Sequence, residues 1–144
     1  MRTWILLSYK IPREPAASRV YVWRKLKRLG ALSIQDAVWV LPGTPQTAEH
    51  FRWLAAEILE LKGEASLWES RQLLDGQDER LAARFEEQVR PMYATILKAL
   101  KGRRPDLPAL ARKFQEAAAV DYLRCGLGKK VRAALIAAKQ EVAE

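Results

Sequence analysis

Seven residues near the start of the chain, TWILLSY (Thr3 to Tyr9), are almost continuously apolar. The run is short and carries Trp4, Ile5 and Tyr9, which favour extended backbone. With no polar alternation it reads as a strand buried on both faces. Any fold of this chain must therefore seat the strand inside a sheet and cover that sheet on both sides. A second run, AVWVLP (Ala37 to Pro42), has the same character, and the pair is expected at the sheet's centre.

The intervening residues set the element order. KIPREPAA is a loop, since Pro12 and Pro15 both oppose regular structure. Ser18 is the expected N-cap of a helix whose apolar face is Val22, Trp23, Leu26 and Leu29, with Gly30 as its stop. ALSI and AVWVLP form an expected antiparallel hairpin around Gln35 and Asp36, without an Asn-Gly or Asp-Gly turn. Thr44 and Pro45 open a second helix as cap and first-turn proline. Phe51, Leu54, Ala55, Ile58 and Leu61 make its buried stripe, and Gly63 stops it. EASLWES (Glu64 to Ser70) is the fourth strand, with Ala65 and Leu67 on one face and Trp68 on the other. The order β-α-β-β-α-β predicts an α+β class and a ferredoxin-like antiparallel sheet over residues 1–72, with strands one and three central.

Residues 73–144 read as a helical extension that packs on this domain or on a partner subunit. Leu81, Phe85, Val89, Met92, Ile96 and Leu100 lie at helical spacing, with Pro91 expected to kink or split the helix. GRRPDLP is a linker, PALARKFQEAAAVDYL a further helix, CGLG its break and KKVRAALIAAKQEVA the last helix.

Charge points to an anionic partner. The formal net charge is +8, and up to Gly30 there are eight basic residues against one acidic. From Ala31 to Gly76 the balance reverses to three against seven, and from Gln77 onward it is fourteen against nine. Arg24, Lys25, Lys27 and Arg28 spread over the helix face opposite the apolar one, with no acidic residue at helical spacing. The fold is expected to bring Lys10, Arg13 and Arg19 near the same end. These seven are the candidate nucleic-acid-binding residues, and such contacts position a phosphate backbone rather than read bases. The competing reading is a solvated amphipathic face whose basic stems cover apolar surface. No helix-turn-helix, zinc finger or RNA-binding sheet motif is evident.

Other chemistry is sparse. The single cysteine, Cys125, excludes an intrachain disulfide and a multi-cysteine zinc site. It precedes GLGKK, so Arg124, Lys129 and Lys130 are candidate oxyanion-binding residues at a helix start, and their charge would lower the thiol's pKa. The simpler reading is a glycine-terminated helix followed by a turn. His50, the one histidine, is expected at the surface. Of the tryptophans, Trp23 is expected in the core, whereas Trp53 lies off its helix's stripe and needs cover from the helical tail or a second subunit. No metal and no cofactor are expected. No apolar run reaches the ~20 residues of a membrane span. The first ten residues lack the apolar length and cleavage site of a signal peptide. A cytoplasmic protein without a membrane partner is the expectation.

A family resemblance adds to this reading. WILLSYKIPREPAASRVYVWRKLKRLGALSIQDAVWVLP strongly resembles the N-terminal domain of the ChrB chromate-resistance regulators. The likeness continues through FRWLAAEI, GEASLWES and GQDERLAARF, and more weakly through AVDYLRCGLGKKVRAAL. It implies a regulatory protein of chromate resistance, a DNA partner and a homodimer. Members usually carry a second domain, so a separate C-terminal sensor-domain protein is also implied as a partner. The core looks like the middle domain of PaaX-type repressors and like the metal-dependent nuclease-like proteins of CRISPR spacer acquisition. Those nuclease-like proteins place an aspartate at the end of the first strand, where this chain has Ser8, Tyr9 and Lys10. Nor can an acid–base pair, nucleophile triad or metal cluster be assembled, so an enzyme is not expected. Two classes remain: a DNA-binding regulatory protein, and a protein-interaction or dimerisation module without direct nucleic-acid contact.

Overall fold

TWILLSY becomes the inner strand. The computed structural model describes residues 1–143. In it β1 (Trp4–Lys10) pairs antiparallel with β3 (Val38–Pro42) on one edge and β4 (Glu64–Ser70) on the other. With β2 (Leu32–Gln35) beside β3, the strand order is β2-β3-β1-β4. α1 (Ala16–Arg28) follows β1 and α2 (Pro45–Glu60) follows β3, which gives the ferredoxin-like arrangement expected from the element order. The two central strands carry the core: Leu7, Val40 and Leu41 are fully buried, as is Trp4. Alternation puts Leu67, Leu7 and Trp39 on one face. On the other, Trp68, Leu6, Val40 and Leu32 line up in one apolar row across all four strands.

Both helices end in the same hydrogen-bond pattern. After α1 the Gly30 N–H bonds the Lys27 carbonyl and the Ala31 N–H bonds that of Leu26, with Gly30 in the left-handed region at φ 76°. After α2 the Lys62 N–H bonds Leu59 and the Gly63 N–H bonds Ile58. Here the left-handed residue is Lys62, at φ 68°, not the expected Gly63. Gly63 serves close approach instead: a Cβ would lie 2.5 Å from the Lys10 carbonyl oxygen and 2.8 Å from Ile58. α2 starts as expected, with Thr44 and Thr47 bonding each other's backbone N–H and Pro45 in the first turn. The buried Thr47 hydroxyl also donates to the Pro42 carbonyl, tying α2 to the end of β3.

Two local expectations are corrected, and Pro91 does not split its helix. α1 begins at Ala16 behind Pro15, and Ser18 is buried in the first turn instead of capping it. The hairpin turn lies at Asp36 and Ala37, one residue later than expected. Ala37 takes φ 59°, and a bulge between Ser33 and Gln35 adjusts the register. α3 (Gln77–Leu100) runs unbroken through Pro91.

The chain divides into two units, Met1–Asp78 and Glu79–Glu144. In the first, Asp78 accepts hydrogen bonds from the Arg2 N–H at 2.8 Å and the Trp4 indole at 2.9 Å. These donors, Arg2 first, hold its carboxyl below the usual value. The second unit packs α3 against α4 (Leu107–Val120) and α5 (Gly126–Ala143) around Val89, Tyr93, Ile96, Leu110, Ala117 and Val131. Tyr93 takes the core place expected for Met92, which is 37% exposed. Among the described residues no helix is long and apolar enough to cross a membrane.

Gly63→Ala drives a methyl into the Lys10 backbone. It should cost about 1–3 kcal/mol, the range for overpacking a site that cannot yield, measured by urea unfolding against wild type.

Candidate nucleic-acid interface

α1 presents most of the basic candidates, and its sidedness follows from a narrow buried stripe. Ser18, Val22 and Leu26, four residues apart, are the buried positions. Trp23 follows Val22 by ~100° around the axis and falls outside that stripe. It is 51% exposed, contrary to the core position expected for it. Its indole lies 5.6 Å from Lys27 Nζ, which is also 5.8 Å from the buried Trp39 ring. Lys27 thus bridges a surface and a core tryptophan by cation–π contact.

Lys25 is also occupied. Its Nζ lies 3.8 Å from a Glu57 carboxylate oxygen on α2 and 5.8 Å from the Tyr21 ring. The Tyr21 hydroxyl donates to the same carboxylate. That hydrogen bond, with smaller contributions from desolvation and the Glu57 charge, holds the Tyr21 phenol above its usual value. No acidic residue stands at helical spacing on α1, but Glu57 arrives from the neighbouring helix, a contact that spacing within one element cannot reveal. Lys25, Lys27 and Arg28 also occupy the last turn, where they complement the helix dipole.

The arginines are differently placed. Arg13, Arg19, Arg24 and Arg28 are exposed, and among the described residues none of them forms an ion pair. Lys10 is exposed at the end of β1, opposite Glu64 in the register. Arg19 to Arg28 spans nine residues, about 13 Å of helix.

The second candidate set lies elsewhere. Arg124, Lys129 and Lys130 are exposed, while Cys125 is buried in the three-helix core. The Cys125 N–H at the start of α5 is already taken by the Asp121 carboxylate, at 2.9 Å and 3.1 Å. Asp121 also accepts from the Tyr93 hydroxyl at 2.8 Å. Burial, then this hydrogen bond, raises the Tyr93 phenol far above its ordinary value. Gly126 and Gly128 sit inside α5 rather than in a break before it. A Cβ on Gly128 would lie 2.9 Å from the Tyr93 hydroxyl oxygen. His50 is half-buried on α2. Trp53 is 67% exposed.

Comparison with known proteins gives two matches. The family model described as Protein ChrB, N-terminal, matches residues 19–104, from α1 to the loop after α3. Over 104 residues the chain is 26% identical to Protein ChrB of Cupriavidus metallidurans, an alignment covering 72% of this chain and 32% of that protein. The chain thus matches about a third of the length of that curated relative.

Glu57→Gln should lower the Tyr21 phenol toward its ordinary value of 10.0, because the carboxylate is the main cause of its elevation. Ultraviolet titration of the variant, with Tyr21→Phe as the reference for assigning the transition, measures the shift. Stability should change by less than about 1 kcal/mol, the range of an exposed ion pair.

Proposed function

The chain belongs to the ChrB N-terminal domain family, and on that premise we propose that it is a chromate-resistance regulatory protein that holds DNA by its phosphates through α1. It acts in the cytoplasm, without catalysis of its own, and a separate sensor-domain protein completes its response. One observation carries the reading: the exposed arginines along α1 are not ion-paired among the described residues, whereas Lys25 and Lys27 are engaged within the fold. Phosphate contacts of this kind give affinity without sequence preference. Selection of an operator therefore needs a further surface or a second copy.

Replacing Arg19, Arg24 and Arg28 together by Gln should weaken binding to a chromate-operon promoter fragment and to an unrelated duplex about equally. The salt slope should fall by ~0.9 for each phosphate no longer neutralised. Lys25→Gln should do much less. Titrations at two salt concentrations, with circular dichroism to confirm helicity, measure both. Unchanged affinity and slope in the folded triple variant would leave only a solvated helix face.

Exposed apolar residues support the second reading, a dimerisation module. Trp68 is 58% exposed at the outer end of the row through Leu6, Val40 and Leu32, on the edge strand β4. Large aromatics at an interface carry a disproportionate share of its energy. A homodimer that buries this end of the sheet should lose at least tenfold in association on Trp68→Ala, read by sedimentation equilibrium. A wild-type chain that stays monomeric at all concentrations would rule the dimer out.

A further inference from the structure

α4 and α5 part along one side into a groove of about 240 Å³. Leu107, Ala111 and Phe114 line it from one face of α4, and Leu135 and Ile136 from α5. Arg132 and Lys139 stand a turn away on either side of that pair, and no carboxylate lines the groove. Among the described residues neither cation forms an ion pair. Ile136 is 49% exposed in the groove's wall.

A second hollow, also lined by Leu107, continues the apolar surface past Leu100 to Val142, which is 77% exposed. Arg103 and Arg104 flank it, and Glu141 is its one carboxylate. From Arg132 to Val142 the α5 side runs ten residues, about 15 Å or three helical turns. Apolar surface of this length between basic residues is self-consistent only with something laid along it.

We propose that the α4–α5 groove docks an amphipathic helix with acidic flanks, contributed by a partner protein. Its apolar residues at i, i+3, i+4 and i+7 fill the line from Phe114 past Ile136 to Val142. Its carboxylates meet Arg132, Lys139, Arg103 and Arg104, which select against basic helices. A small amphipathic anion would fill one end only and leave Val142 or Ile136 in water, so the length of the surface favours a helix.

The test uses the full chain and a fluorescein-labelled helical peptide of roughly 16 residues, long enough to hold some helix alone. The peptide carries Leu along one face and Glu on both flanks. A second peptide has Lys in place of each Glu, and sodium dodecanoate serves as a competing small anion. Fluorescence anisotropy should show saturable binding of the Glu peptide, at least tenfold tighter than the Lys peptide. Ile136→Glu and the double variant Arg132→Gln/Lys139→Gln should each weaken it about tenfold. All three positions lie on the groove's open side, so helicity by circular dichroism should be retained. Absence of saturable binding, equal binding of the two peptides, or affinity untouched by both variants would overturn the proposal. So would saturation by dodecanoate without binding of the Glu peptide.

Discussion

The two hydrogen-bond ladders along β1 govern the first unit. Because β1 pairs antiparallel on both edges, β3 and β4 both run opposite to it, and α1 and α2 each carry the chain back the length of the sheet. The ladder to β4 also fixes Lys10 across from Glu64. The turn from α2 into β4 is therefore forced against the Lys10 backbone. Ile58 presses from the other side, and glycine at 63 is what fits between them. Lys62 bears the left-handed conformation as a result, a geometry that disfavours side chains by about 1–2 kcal/mol. The position of one apolar strand thus reaches into the backbone conformation of a residue 52 positions beyond its end.

The same geometry sorts the cations of α1. A helix on a twisted sheet needs only a narrow line of burial, here Ser18, Val22 and Leu26. The flanks are left to amphipathic side chains. Lys25 finds a carboxylate on α2 and Lys27 two aromatic faces, because a flexible stem can reach either. The α1 arginines form no ion pair among the described residues. Net charge alone counts all of these cations alike, although Lys25 and Lys27 are engaged within the fold.

What could be read from the sequence was what depends on neighbours along the chain. The central strands, the element order, the Gly30 stop and the Thr44–Pro45 start follow from local pattern and turn chemistry. What could not be read depends on residues far apart in sequence. Trp23 looked buried because four apolar residues share its helix face, yet the sheet has room for only part of that face. Lys25 looked free because its carboxylate lies on α2. CGLG looked like a terminator because glycine usually ends helices. Gly128 instead makes room for the Tyr93 hydroxyl, contributed from α3. Met92 and Tyr93 differ by one position, and a rotation of ~100° decides which of them enters the core. The candidate site was thus legible as a cluster of charges but not as a division between occupied and available ones.

Asp121 joins three helices through one residue. Its backbone N–H bonds Ala118 at the end of α4, its carboxylate receives the Tyr93 hydroxyl from α3, and the same carboxylate holds the Cys125 amide just before α5. Fraying of α5 from its start must therefore release the tyrosine, and loosening of α3 must release the start of α5. The three-helix unit should consequently behave as one cooperative piece in native-state hydrogen exchange, with the Cys125 amide opening together with α3 and α4.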